Sequence, residues 1–202
     1  MIRLIVNADD LGYTKAVSRG IVEAHERGVV TSTSLMVDRP AAEDGVERAR
    51  GTGLSVGLHA VLDDVPAARA GAELDRQLAR FEELVGRRPT HVDTHHHTHR
   101  EDAYRDAFAA FAEREGLRAR DLTVRHEPRF YGAAAITVER LVEILQTLPA
   151  GDSELGCHPG YPEGLRSRYV EERMTEIATL TNPRVRARVD ELGIELIGWD
   201  AL

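Results

Sequence analysis

The chain has 202 residues, 42% of them hydrophobic and 30% charged, enough to bury the core of one domain, and a single domain over residues 1–202 is expected without a linker. Its formal charge of −8 argues against nucleic acid, whose phosphates demand a basic face, and favours a neutral or cationic substrate over an anionic one. No apolar stretch approaches the roughly 20 residues of a membrane span, Met1-Ile2-Arg3-Leu4-Ile5 leads into a strand rather than a signal peptide, and the single Cys157 excludes an internal disulfide, so a cytoplasmic protein is expected.

The first strand is predicted over residues 2–8, an apolar run that ends in Asn7-Ala8-Asp9-Asp10 before Leu11-Gly12. Adjacent carboxylates at a strand end cannot both face the same group, so one can bind a cation while the other stays free as a base, or either can cap a helix. Val17, Ile21 and Ala24 repeat at helical spacing up to Gly28, and strands follow at 30–37 and 54–60, the latter carrying His59 at its end. The Ala-Gly-rich stretch 65–72 reads as a loop. Leu74, Leu78, Phe81 and Val85 then mark a helix that stops at Gly86. A strand at 89–95, a helix with Tyr104, Phe108 and Phe111 that stops at Gly116, a strand at 122–125 and a loop at 132–135 come next. Val138, Leu141, Leu145 and Leu148 mark another helix, and the strand 153–158 runs into Cys157-His158-Pro159-Gly160. Asn182-Pro183 reads as an N-cap with proline in the first turn of a helix that presents Val185, Val189 and Leu192, stops near Gly193, and leads to a last strand at 194–199.

Seven strands thus alternate with helical stripes, five of which the apolar spacing marks. The expected fold is α/β, a distorted or incomplete TIM-like (β/α) barrel with a mostly parallel sheet. Four of its strands end in Asp or His, and in such folds the C-terminal strand ends converge on one face, where active sites are built.

The densest signal is His91-Val92-Asp93-Thr94-His95-His96-His97-Thr98-His99, which holds five of the nine histidines. Such density points to metal binding. Continued as a strand, the run would place Asp93, His95, His97 and His99 on one face and His96 on the other, so spacing alone leaves the ligating imidazole open. His25 and His126 read as structural or surface residues. A Cys157-His158 nucleophile and base is excluded by the opposite faces that strand neighbours present, and Cys157 reads as a small buried residue.

Val6-Asn7-Ala8-Asp9-Asp10-Leu11-Gly12, Gly28-Val29-Val30-Thr31-Ser32-Thr33-Ser34, Gly57-Leu58-His59, Pro89-Thr90-His91-Val92-Asp93-Thr94-His95-His96-His97 and Cys157-His158-Pro159, in that order, resemble the YdjC-like carbohydrate deacetylases, which include chitooligosaccharide and hopanoid-precursor deacetylases. The likeness covers nearly the whole chain. It implies a metal-dependent N-deacetylase of an N-acetylated sugar, with Asp10, His59 and His95 holding one divalent ion, Asp9 as general base and His158 as general acid. Zn²⁺ is the expected ion, with Mg²⁺, Co²⁺ or Ni²⁺ as alternatives. The chemistry agrees, because amide hydrolysis needs an activated water, a polarised carbonyl and a proton for the leaving amine.

For the sugar, Arg125 matches a strand-end arginine of the family, while Tyr131 and Tyr161 lie on loops beside predicted strand ends; Tyr104 and Tyr169 are expected to pack in helices. Aromatic residues make up only 5% of the chain, which suggests a small pocket. The segments around 62–75 and 117–137 are shorter than is usual for the family, and a homodimer would let a partner subunit supply the missing loops. Two other classes compete, a metal phosphoesterase on a similar barrel and a non-catalytic metal or sugar-binding protein. The first usually needs more metals and more cationic side chains, and the second has no need of Asp9 and His158.

Overall fold

The computed structural model describes residues 1–202. Seven strands form, β1 (Ile2–Leu11), β2 (Ser32–Leu35), β3 (Ser55–Ala60), β4 (Val92–Thr94), β5 (Arg125–Glu127), β6 (Gly151–Cys157) and β7 (Ile194–Leu196). Between them run α1 (Lys15–Glu26), α2 (Ala42–Ala49), α3 (Ala70–Val85), α4 (Asp102–Glu115), α5 (Val138–Gln146), α6 (Glu171–Leu180) and α7 (Pro183–Glu191). All pairings are parallel, in the order β4-β3-β2-β1-β6-β5, with β7 beside the first residues of β1. The edge strands β4 and β5 are linked through single bridges, Val92 to Ala119 and Arg120 to Val124. The sheet therefore curls into the distorted barrel expected from the alternating pattern. No helix is long and apolar enough to cross a membrane.

The period-2 alternation of the strands sorts residues between two environments. Leu4, Val6 and Ala8 of β1 join Val56, Leu58, Val92, Leu155 and Cys157 in the main hydrophobic cluster beneath the helices. Ile5, on the opposite face, packs with Val124, Ile197 and Trp199. Further along that interior face come Asn7 and Asp9, and Ser34, His59, Asp93 and Glu154 of the other strands are buried with them. The barrel is thus apolar at one end of its interior and ionic at the other.

Most elements lie where the periodicity puts them. Gly86 and Gly116 end α3 and α4 in the left-handed conformation, and the Asn182 side chain caps α7 by accepting from Arg184 N. Four differences stand out. α1 ends at Glu26, before Gly28. A turn at Ala67–Arg69 runs directly into α3, so the stretch read as a loop to residue 72 is already helical from Ala70. β5 begins at Arg125 rather than at 122, because the chain first bridges β4 through Ala119 and Arg120. The helices α2 and α6 escape the apolar pattern altogether: α2 buries mainly alanine and glycine, and α6 buries Arg173, Glu176 and Thr179 beside Ile177 and Leu180.

One contact fixes the approach of the turn after β6. A Cβ on Gly20, inside α1, would stand 2.7 Å from Gly160 Cα and 2.9 Å from Ile177 Cδ1. The obstacle is backbone and cannot rotate away. Gly20→Ala is therefore expected to destabilise the protein by about 1–3 kcal/mol through overpacking, against the gain of about 1 kcal/mol that alanine gives in an open helix. Urea unfolding checks the sign; a raised midpoint would show that α1 and the turn move apart at no cost.

Candidate active site

β1 delivers two carboxylates to one cavity because its last residues leave regular geometry. The register with β2 shifts between Ala8 and Leu11, and Asp10 has φ 74, in the left-handed region that costs an ordinary residue roughly 1–2 kcal/mol. Asp9 keeps the inward direction of the strand while Asp10 turns to different partners.

Asp10 Oδ1 stands 3.3 Å from His59 Nε2 and 3.2 Å from His95 Nδ1, and the two ring nitrogens are 3.3 Å apart. Ligand atoms about 2.0–2.1 Å from a tetrahedral ion are separated by roughly 3.3 Å, so the triangle has the size of one face of such a site. Two further observations fit a cation. Asp10 Oδ1 is buried and takes no properly angled hydrogen bond, while Arg173 occupies Oδ2 at 2.5 Å. His59 Nδ1 is 2.6 Å from Asp93 Oδ1, the carboxylate backing that aims a ligating imidazole, and Ser34 Oγ donates to the other Asp93 oxygen at 3.0 Å. Burial would lower the His59 pKa, but the charge of Asp93, the nearness of Asp10 Oδ1 and the bond to Asp93 overcome it and push it up to about 10. Three buried carboxylates thus demand positive charge at this point, which an ion can supply in place of a proton.

Arg120 enters the barrel from the segment that bridges β4 and β5, fully buried. Its guanidinium donates to both oxygens of Asp9 at 2.7 and 2.8 Å and to Glu154 at 2.8 Å, and stands 2.9 Å from Asp93. Burial raises the carboxyls of Asp9, Asp93 and Glu154, yet the charge of Arg120 outweighs it, so all three lie below the ordinary carboxylate range. Asn7 Nδ2 adds a bond to Asp9 Oδ1 at 2.8 Å. Across the cavity His158 Nε2 faces Asp9 Oδ2 at 3.8 Å, its imidazole pushed down to about 4 by burial. Behind it lies Glu176, pushed up to about 7 by burial.

Asp9, Asp10, His59, His95 and His158 all line a single cavity of about 740 Å³, together with Tyr131. Tyr131 is 61% exposed, stacks on Tyr169 at 4.9 Å and meets the His158 ring edge-on at 5.6 Å. Two sugar-contact expectations are corrected. Arg125 opens β5 with an exposed side chain and takes no part in the cavity; its strand neighbour His126 faces in, and Arg120 is the arginine that holds Asp9. Tyr161 lies outside as well, because its hydroxyl donates to Glu23 at 2.5 Å and Arg19 stacks 4.3 Å over its ring. Tyr169, expected in a helix, lies on the loop before α6 and lines the cavity, which is larger than the aromatic content suggested.

The histidine run is not a strand. β4 stops at Thr94, and His96 and His97, each with φ 54, carry the chain through a tight turn. Its members therefore scatter. His95 reaches Asp10; His91 stacks on Trp199 at 4.7 Å in the barrel floor; His99 bonds Thr94 and Asp121 at 2.6 and 2.9 Å; His96 pairs with Asp63 at 3.0 Å. His97 lines the cavity away from the Asp10 triangle, its pKa pushed down to about 3 by burial.

Sequence reasoning passed over the mouth of the cavity. Arg39, Arg166 and Arg168 line it without a carboxylate in ion-pair range, although most other arginines of this acidic chain are paired. Arg39 Nε is buried and unpartnered, with the guanidinium 4.7 Å from the Tyr13 ring. Three guanidiniums without a carboxylate partner thus line the cavity of a chain whose net charge is negative. Arg120 and Arg173 were missed too; the signal for Arg120 was Glu154, a carboxylate inside a buried strand that demands a cation.

A family model described as "YdjC-like protein" matches residues 3–72 and 65–191. The chain is 37% identical to a carbohydrate deacetylase of Geobacillus stearothermophilus and 33% identical to a chitooligosaccharide deacetylase of Serratia marcescens, each alignment covering 96% of both chains. The first alignment runs over 236 positions, more than the 202 residues here, so that relative carries segments without a counterpart. A crystal structure from Enterococcus faecalis V583, of a protein named for cellobiose-phosphate cleavage, superposes with a TM-score of 0.92 at 28% identity, covering 99% of this chain and 98% of that one.

Proposed function

The chain belongs to the YdjC-like family of carbohydrate deacetylases, and from that membership we propose that residues 1–202 form one domain that removes the N-acetyl group from an amino sugar with the help of one divalent ion. The observation that carries the reading is the convergence of Asp10, His59 and His95 on one point of a cavity that Asp9 and His158 also line, 3.8 Å from each other. A bound ion, Zn²⁺ by the donor set, supplies Lewis acidity to the acetyl carbonyl and acidifies water.

The remaining work belongs to side chains. Arg120 and Asn7 keep Asp9 ionised and fix its plane, so that a carboxylate oxygen is ready to take the proton of the attacking water. A base this strongly held is weak but always in the right state. His158 faces the cavity through Nε2 and gives a proton to the departing nitrogen. Tyr131, stacked on Tyr169, offers an exposed ring face to the sugar. Arg39, Arg166 and Arg168 extend the substrate class to sugars that carry an anionic group, phosphate above all, which agrees with the name of the Enterococcus protein.

Acetate release from N-acetylated mono- and disaccharides, each with and without a phosphate, in the presence of Zn²⁺, Co²⁺, Ni²⁺ or Mg²⁺, tests the proposal. The phosphorylated sugars are expected to lead by about 10-fold in kcat/KM, as three charge contacts of roughly 0.2–1 kcal/mol each, two from exposed arginines and one from the half-buried Arg39, allow. Arg39→Gln/Arg166→Gln/Arg168→Gln should erase that lead at little cost to the neutral sugars. Equal rates on both sets would remove the anionic preference; no acetate from any sugar with any ion, alongside cleavage of a phosphoester, would remove the deacetylase.

A further inference from the structure

His158 has an unused bond. Its Nδ1 is buried without a hydrogen-bond partner, and a carboxylate oxygen, Glu176 Oε1, stands 4.0 Å away. Glu176 is wholly buried, and its other oxygen accepts the main-chain N–H of His158. Tyr169 Oη donates to Oε1 at 2.5 Å, which leaves that oxygen a second lone pair. One turn earlier on α6, Arg173 bonds Asp10 Oδ2 at 2.5 Å. A single helix thus grips the cation side of the cavity through one residue and the His158 side through the next residue on the same face.

We infer that Glu176 is a positioning residue for His158: it anchors the main chain at that residue and accepts Nδ1–H, holding the ring so that the Nε2–H of its imidazolium form points at the leaving nitrogen, and steadying that charged form. This rests on the reading of His158 as the general acid. Three features support it. The carboxylate is already pinned by the main chain of the residue it serves, and Nδ1, at 4.0 Å, is about 1 Å beyond hydrogen-bond range of Oε1. No other acceptor reaches Nδ1, and a buried ring nitrogen left unpaired costs about 1–3 kcal/mol. Burial, helped by the charges of Arg173 and Arg120, holds the imidazole low against the pull of Asp9 and Asp10, and an acceptor on Nδ1 favours the charged ring that an acid working near neutral pH requires.

The test is a cycle on the metal-loaded protein, with Glu176→Gln, His158→Ala and the double variant assayed on an N-acetyl sugar and on a nitrophenyl acetate, whose leaving group needs no proton. Glu176→Gln should lower kcat on the amide by about 10–100-fold, part of the 10²–10⁴-fold that a general acid contributes, leave KM and metal content unchanged, and spare the ester. In the His158→Ala background it should cost nothing further, because the two residues act as one unit. Glu176→Asp, which keeps the charge on a shorter arm, should fall between. Equal losses on both substrates, or a loss that persists without His158, would overturn the inference and make Glu176 structural. If His158→Ala itself affected amide and ester alike, the general-acid reading would fall first and this one with it. A variant too unstable to assay leaves the native protein as judge: ¹⁵N spectra should show the His158 proton on Nδ1, and a neutral ring protonated on Nε2 alone would overturn the assignment.

Discussion

Asp10→Asn and His95→Ala are each expected to empty the site of divalent ion and to cut deacetylation by 10³-fold or more, on the order of the several kcal/mol that a Lewis acid contributes to the transition state. The two changes are chosen for what they leave intact. Asparagine tolerates the left-handed conformation at Asp10, and its amide oxygen can still accept from the buried Arg173, so the loss falls on the charge at Oδ1. Alanine there would combine backbone strain with an unpaired buried guanidinium and confuse folding with ligation. His95 lies on the turn after β4, where its removal opens no core cavity. Metal analysis of the purified variants, with circular dichroism to confirm the fold, is the measurement. His97→Ala serves as the control and should keep its ion, because that ring stands outside the triangle. Full occupancy in His95→Ala with loss in His97→Ala would move the centre to another histidine.

The sequence made the barrel readable because its signals were local. Apolar runs marked strands buried on both faces, helical stripes marked what covers them, and glycine and Asn182-Pro183 marked several ends. The Asp10, His59 and His95 positions were readable as residues at strand ends, although spacing could not select His95 and the family resemblance did. What stayed hidden depends on pairs far apart in the chain. Arg120 meets residues 111 positions before it and 34 after it, and nothing in Arg118-Ala119-Arg120-Asp121 distinguishes the buried guanidinium from its neighbours. The helix α6 was hidden for a related reason, since its inward face serves the cavity with Arg173 and Glu176 and so breaks the apolar stripe that reveals a core helix. The histidine run misled in the opposite direction. Its density reflects a floor stack, a structural bond to Asp121 and a surface pair with Asp63 as much as ligation, and two positive φ angles ended the strand on which the facing argument relied.

Arg120→Met is expected to produce the largest loss of stability of any single change in the barrel. Methionine fills a similar length but leaves Asp9, Asp93 and Glu154 buried around a site with no guanidinium. Breaking a buried ion pair by removing one partner costs about 3–5 kcal/mol, and here one cation serves three carboxylates. For a chain of this size that corresponds to a fall in Tm of roughly 10 °C or more. Lysine would keep the charge but not the planar fork that bonds both oxygens of Asp9 while reaching Glu154, so Arg120→Lys should recover only part of the loss. The dependence on pH identifies the cause. In the native protein Glu154 lies below its unfolded value, so its contribution is present at neutral pH and is lost as pH falls through the folded value. Without Arg120 burial dominates, the Glu154 pKa rises above the unfolded value, and the folded variant takes up a proton that the unfolded chain does not. Glu176, raised to about 7 by burial, moves the stability of both proteins alike over this range, so the difference between them isolates Arg120: the variant should gain stability relative to the native protein as pH falls from 7 towards about 5, and the gap should narrow. Urea midpoints of the two proteins at both pH values measure this. A gap that stayed constant would mean that Arg120 stabilises the barrel by packing its long side chain, with its charge of little consequence.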